Sequence, residues 1–475
     1  MKQDPEPSML FGVKTDRQLE GRALRNLRRV VQDYPITLTV SVNGILANFA
    51  VAFTQPTFAV FALLFTGAVL VKGRHTVTRM LVAAGVHAAH HARFHRFFSQ
   101  AKWTMDDLWE EVGRLVVEKL LAPDSRIRVV IDETAQRKTG AKIFGVGMVY
   151  DNRPAARKGD VLRWGLTWVV MAVLVKVPLW KGHVFAIPVL ARLYRPRKVC
   201  RGGSFKTKGQ LALDMIERLR AWFPGRNVLL LVDGNYNDKA LMRKLPAGVD
   251  VVGRLRYDAA QFGRPPKRRK RTGRPRLRGR KMARPVHYVA RRPRQWRKTT
   301  LPSGRTFETQ TWQALWWVVF RQRPIRAVAS RRPGGRRRPE FFYTTDLSLT
   351  VDDILAHYVE RWRIECLFHE VKETMGFEDP QCRTERAVER TPAFLLWTAG
   401  VVKYWFLAER KTVSDSFRPR WRRTPAGRSP VASFSDMLAA MRREILGETL
   451  FHRSGFRVDH TESFKALINA IAYAA

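Results

Sequence analysis

Four short apolar runs in the middle of the chain, RIRVVIDET (126–134), LTWVVMAVLV (166–175), HVFAIPVLARLY (183–194) and NVLLLVDGNY (227–236), are rich in β-branched residues. Each reads as a strand. TKGQLALDMIERLRAWF (207–223) carries the apolar period of a helix and falls just before the last run. Strands interleaved with a helix commit this region to an α/β core.

The flanks read differently. Residues 1–122 have helical patterns throughout. FAVFALLFTGAVLV (58–71), with Pro56 near its start, is shorter than the roughly 20 residues a bilayer needs. It reads as a buried core helix, and LTWVVMAVLVKVPLW (166–180) is interrupted by Lys176, so no membrane span is predicted. TVTRMLVAAGVHAAHHARFHRFFS (76–99) places two helical patterns around Ala84-Gly85-Val86, the layout of a helix-turn-helix. Its second half sets His87, His91 and His95 at four-residue steps beside Arg93 and Arg96. That face suits DNA; it is equally a solvated basic surface, and the histidines lack a fourth ligand for zinc.

From 253 the composition shifts. GRPPKRRKRTGRPRLRGRKMARP (263–285) is almost wholly basic and cannot build a core. After it, TQTWQALWWVVFRQ (309–322) and RRPEFFYTTD (337–346) read as strands of an inserted subdomain, and a single helix over 351–376 returns to the core. Residues 385–475 are helical around the basic loop 417–430. The expected organisation is an N-terminal helical DNA-binding region (1–122), a core in two pieces (123–252 and 347–408), a basic and β-rich insertion (253–346) and a C-terminal helical region (409–475).

Charge narrows the partner. Lys and Arg number 86 against 41 acidic residues, 86 − 41 = +45, and a chain so charged repels itself unless a polyanion neutralises it. Nucleic acid is the expected partner. Cys200, Cys366 and Cys382 form no CxxC pair, and MKQDPEPSML lacks the pattern of a signal peptide. A reducing cytosol is therefore the expected compartment.

Three carboxylates carry the candidate chemistry. Asp132 follows RVVI and Asp233 follows VLLLV, and aspartates at the ends of neighbouring central strands can share hard divalent cations. Glu133 adjoins Asp132, but successive strand residues point to opposite faces, so only one of them should face a site. In HYVERWRIECLFHEVKETMGFED (357–379), Tyr358, Arg361, Glu365 and Lys372 fall within roughly 60° of one another on a helix, with Trp362 and His369 near the stripe. Glu365 is thus placed among cations suited to phosphates. The same stripe also fits a surface network of i,i+4 ion pairs.

The spacing Tyr358, Arg361, Glu365, Lys372 reads Y-(2)-R-(3)-E-(6)-K and resembles the signature of a large group of DDE transposases from bacterial insertion sequences. IDET around Asp132 and LVDGNY around Asp233 look like that group's two aspartate motifs. The resemblance spans roughly 75–400. It implies an RNase H-like core with Asp132, Asp233 and Glu365 as the catalytic and metal-binding triad, holding two Mg²⁺ ions for which Mn²⁺ can substitute. It implies cut-and-paste transposition in a bacterial, nucleoid-associated setting, with Tyr358, Arg361 and Lys372 on DNA phosphates and terminal inverted repeats and target DNA as substrates; His369, near that stripe, and Arg93 and Arg96, on the helix-turn-helix face, are the further DNA-binding candidates. Some members of the group hold a flipped base on a tryptophan, for which Trp296, Trp312, Trp316 and Trp317 are the candidates. Cutting two ends together calls for a homodimer on DNA. The competing expectation is a non-catalytic DNA-binding regulator derived from a transposase; RNA binding would suit the arginine-rich segment but leave the carboxylates unexplained.

Overall fold

The computed structural model describes residues 40–86, 91–150, 162–177, 182–200, 204–266, 274–301, 304–334, 338–412 and 431–454, with a few single positions between and after them. The N-terminal part of the chain is helical from Val40: α1 (Val40–Asn48), α2 (Gln55–Leu70), α3 (Val77–Ala83), α4 (Ala92–Ser99) and α5 (Met105–Leu120). α2 starts with Pro56, whose missing N–H is harmless in a first turn, and is buried along nearly its whole length. It crosses α3 closely because Gly67 lacks a side chain: a Cβ there would stand 2.1 Å from the Met80 carbonyl oxygen. Gly85, at φ +68°, ends α3 in a left-handed turn as the sequence expects.

The core strands follow as β1 (Ile127–Arg137), β2 (Gly147–Tyr150), β3 (Leu162–Lys176) and β4 (Val184–Tyr194). Then come α6 (Lys208–Trp222), opened by a Thr207/Gln210 capping box, β5 (Val228–Val232), α7 (Lys239–Met242) and β6 (Val249–Arg254). β1 lies antiparallel to β3 and β3 to β4, whereas β1, β5 and β6 run parallel. Gly165 sits where β3 is flanked by β1 and β2 at once, and a Cβ there would stand 2.7 Å from both the Gln136 oxygen and a Val149 methyl.

The region after 254 differs from expectation in two ways. Its strands, β7 (Arg297–Thr300), β8 (Thr306–Ala314), β9 (Ile325–Arg331) and β10 (Glu340–Thr344), build no sheet of their own. β10 pairs with β6, so the described strands form one ten-stranded sheet in the order β2-β3-β1-β5-β6-β10-β9-β8-β7, with β4 also on β3. The strand expected over 309–322 stops at Ala314. Leu315 pairs with Phe262, and Trp317–Phe320 forms a single turn, α9, as does Pro285–Ala290, α8.

The helix expected over 351–376 is two helices, α10 (Val351–Glu360) and α11 (Arg363–Glu373). Arg361 and Trp362 keep right-handed dihedrals, yet the amides of Trp362, Ile364 and Glu365 bond three residues back, a local tightening of the turn. α12 (Glu385–Ala408) is buried along most of its length and packs on β4, α5 and α13 (Phe434–Ser454). Lys403, 2% exposed, ties it inward: Nζ donates to the Ala186 oxygen at 3.1 Å and lies 2.5 Å from Glu370 Oε2. Among the described residues no helix is long and apolar enough to cross a membrane.

Candidate active site

The parallel pairing of β1 with β5 sets Ile131 beside Val232, so the next residues, Asp132 and Asp233, emerge side by side. Asp132 does not end its strand as the sequence reading held: β1 continues five residues further because β3 pairs with it out to Arg137. Asp233 does end its strand and starts the 3-10 turn Gly234–Tyr236. Glu365 approaches from above, in the first turn of α11.

Arg361 ties two of the three together. Its Nη1 donates to Asp132 Oδ2 at 3.0 Å and its Nη2 to Glu365 Oε1 at 2.9 Å. Nε is buried without a hydrogen-bond partner among the described residues, and the guanidinium lies 5.6 Å from the centre of the Tyr358 ring. The i,i+4 pair foreseen for this helix therefore exists, extended by a strand carboxylate that no helical spacing could reveal. Burial pushes the Asp132 carboxyl up to about 6; the Glu133 amide, 2.8 Å from Oδ1, and Arg361 oppose that, while Asp233 and Glu365 add to it. Three carboxylates here repel one another, and the Arg361 guanidinium offsets two of them directly.

An open groove of about 630 Å³ runs past Asp132, Asp233 and Glu365. Arg137, Arg163, Lys208 and Lys372 line it too, the first pair from β1 and β3, the second from α6 and α11. Glu133 also reaches the groove, where its carboxylate pairs with Lys208 at 2.7 Å, while Lys372 lies 3.9 Å from Glu378. The arrangement offers carboxylates for cations at its centre and cations for phosphates along its walls.

The donor set fits a hard divalent cation: oxygen ligands only, on adjacent strand positions and a facing helix, with excess negative charge. Among the described residues, however, no three His, Cys, Asp or Glu side chains converge closely enough to hold an ion, and Arg361 is bonded to both Asp132 and Glu365.

The other expected residues scatter. Tyr358 packs its ring on Phe342 at 4.5 Å, and His369 is exposed outside the groove. Arg93 and Arg96 are exposed on α4 while Phe94, Phe97 and Phe98 face the core; His91 and His95 lie 5.7 Å apart, and His87 falls outside the described residues. Trp312 and Trp316 are buried, the first stacked on Tyr288 and donating to Gln261, the second against Tyr343, so neither has a face for a base. Trp296 and Trp317 are half-buried, with the guanidinium of Arg331 4.1 Å from the first ring and those of Arg278 and Arg321 5.3 and 5.4 Å from the second.

Two supporting features carry no sequence signal. Tyr236 is buried close to Asp132 and Glu133 with a hydroxyl that has no hydrogen-bond partner among the described residues, and burial pushes its phenol well above the ordinary range. Arg126 joins Asp346 at 2.7 Å and Asp250 at 3.4 Å, and Arg128 joins Glu360, fixing α10 to β1. Their partners lie more than a hundred residues away, so local spacing is silent about them.

The profile of the DDE superfamily endonuclease family matches residues 48–341, and that of the archaeal ISC1217-type transposases matches residues 324–402. The first covers both aspartates and the second Glu365. No curated protein sequence matches the chain significantly. Among solved structures, the piggyBac transposase in a synaptic complex with hairpin DNA aligns at 10% identity over 95% of this chain and 85% of that one, with a TM-score of 0.39, too loose a likeness to carry an argument.

Proposed function

The chain belongs to the DDE superfamily of endonucleases, as a transposase, and from that premise we propose that Asp132, Asp233 and Glu365 are its catalytic carboxylates and that it cuts and rejoins the DNA ends of its own insertion sequence. The observation that carries the reading is the β1/β5 register, which makes Asp132 and Asp233 neighbours, together with the Arg361 bridge from Asp132 to Glu365. The strand order β4-β3-β1-β5-β6, antiparallel on one side of β1 and parallel on the other, supports an RNase H-like core.

In the first step water attacks the phosphorus at the element's end. The new P–O bond forms as the bond to the 3′ oxygen breaks; the water loses a proton and the leaving oxygen gains one, giving a 3′-hydroxyl and a 5′-phosphate. In the second, that 3′ oxygen attacks a target phosphate in the same in-line sense, and the target's own 3′ oxygen leaves. Asp132, Asp233 and Glu365 would hold Mg²⁺ or Mn²⁺, which supplies Lewis-acid neutralisation of the charge building on the phosphate oxygens. Lys208, Lys372, Arg137 and Arg163 orient the backbone along the groove. Arg361 holds the carboxylates until they turn to that task, and its fork is then available to a phosphate. Two ends cut together call for two protomers on DNA.

Cleavage of a labelled duplex carrying the element's end, with Mg²⁺, with EDTA and with Glu365→Gln, tests this. Cutting that needs the metal and is lost in the variant is the expected result. Tight binding with no cutting in any divalent metal would replace this reading with that of a DNA-binding regulator.

A further inference from the structure

The end of the sheet that carries Asp233 also carries a row of arginines on the strands beyond it. Val232 pairs with Gly253, so Arg254 ends β6 beside Asp233. β10 runs back against β6, and its pairing with β9, Glu340 opposite Ser330, sets Arg338 across from Arg332 just beyond the paired residues. β9 then pairs with β8, Glu308 opposite Arg331, which brings Arg305, preceding β8, to the same end. The row therefore steps one strand at a time away from the groove: Asp233, Arg254, Arg338, Arg332, Arg305.

A second cavity, of about 320 Å³, opens where the row starts. It is lined by Gly234, next to Asp233, and by Arg254, Arg256 and Arg338, with the exposed ring of Tyr257 and the apolar side of Phe341. Arg254 pairs with Glu340 at 3.2 Å, both exposed, and the exposed Arg256 pairs with the half-buried Asp258 at 2.9 Å. Exposed pairs of this kind contribute little and exchange readily for a phosphate. Arg338, Arg332 and Arg305 are exposed, and among the described residues none has a carboxylate partner. Guanidinium forks spaced at strand intervals beside an aromatic ring match a phosphodiester backbone better than a diffuse anionic surface.

We propose that this row is a DNA backbone track that carries the duplex out of the catalytic groove across the end of β6, β10, β9 and β8. Four strand steps span roughly 19 Å, which is about 5–6 base pairs of B-form DNA. The track takes its orientation from the triad reading above, but its test does not require cleavage.

Binding of a duplex carrying the element's end is measured by gel shift in EDTA between 50 and 200 mM NaCl, for the wild type, Arg332→Gln/Arg338→Gln, Glu340→Gln, and a control, Lys119→Gln/Lys244→Gln, that removes two exposed cations elsewhere. Each phosphate contact contributes about 0.9 to the slope of log affinity against log salt, so the arginine pair should flatten the slope by roughly 1.8 and shrink the affinity ratio between the two salts about twelvefold. Glu340→Gln should bind more tightly than the wild type, and backbone protection should reach about six base pairs from the cleaved position. An arginine pair indistinguishable from the lysine control, or Glu340→Gln without gain, overturns the track while leaving the triad standing. A wild type that binds no duplex overturns the DNA reading as a whole, and stronger binding to anionic vesicles than to duplex would assign the row to membrane instead.

Discussion

Arg361 occupies the place where a cation would relieve the carboxylates, and removing it should make the protein less stable yet more responsive to metal. The side chain is 11% exposed, against 18% for Asp132 and 34% for Glu365. Breaking a buried pair by deleting one partner typically costs about 3–5 kcal/mol. Glu365 can turn to water, so the loss falls mainly on Asp132, and about 2–3 kcal/mol is the reasonable figure for one charge-assisted bond and the desolvated carboxylate it leaves. The same quantity sets how hard a divalent ion must work to displace the guanidinium: 2–3 kcal/mol is roughly 30–150-fold in affinity. In Arg361→Met the melting temperature without metal should fall, and the rise produced by millimolar Mn²⁺ should exceed that of the wild type, because ligand binding stabilises by RT ln(1 + [L]/Kd). Differential scanning fluorimetry across a Mn²⁺ series reads both effects, with Glu365→Gln as the variant whose metal response should be weakest. A Mn²⁺ response in Arg361→Met equal to or below that of the wild type would refute the idea that this guanidinium stands in for a cation.

Gly165→Ala drives a methyl to 2.7 Å from the Gln136 oxygen and a Val149 methyl, both on flanking strands, so it should cost about 1–3 kcal/mol and lower the melting temperature, whereas Gly44→Ala, with nothing nearby, should not. Lys403→Met leaves Glu370 facing a buried site without its cation and should destabilise by about 3–5 kcal/mol; adding Glu370→Leu should recover most of that, and a double-mutant cycle by chemical denaturation measures the coupling. Trp312→Ala should cost about 3–5 kcal/mol of stability as a buried ring, while Trp317→Ala, half-buried under Arg278 and Arg321, should leave the melting temperature within a degree or two of that of the wild type.

The residues of the candidate site were legible for different reasons. Asp132 and Asp233 announce themselves because each closes a run of buried aliphatics, and the parallel pairing of those runs does the rest. Glu365 and Lys372 share a stripe by helical spacing, and both do line the groove. What spacing cannot give is the partner across the fold. The wheel set Arg361 among phosphate-facing residues, yet its guanidinium is taken up by Asp132, 229 residues away. Nor does local periodicity say which sheet a strand joins: 337–346 reads as a strand from its aromatics, but it is the pairing of Phe342, Tyr343 and Thr344 with Arg254, Gly253 and Val252 that merges it with the core. Trp316 and Trp317 show the limit of propensity. Their β-preference is real, but Leu315 spends its backbone on Phe262, and the chain turns there instead of continuing.

That merger bears on how such a chain can be shortened. β6 has β5 on one flank and β10 on the other, and its valines are buried. Cutting out 255–346 would remove β10 with the rest and strip hydrogen-bonding partners from an apolar strand in the middle of the protein, and a bare flank of that kind recruits strands from other molecules. The appended strands thus serve as a cover for the strand next to Asp233, and a trimmed enzyme should be lost to aggregation before any question of its chemistry arises.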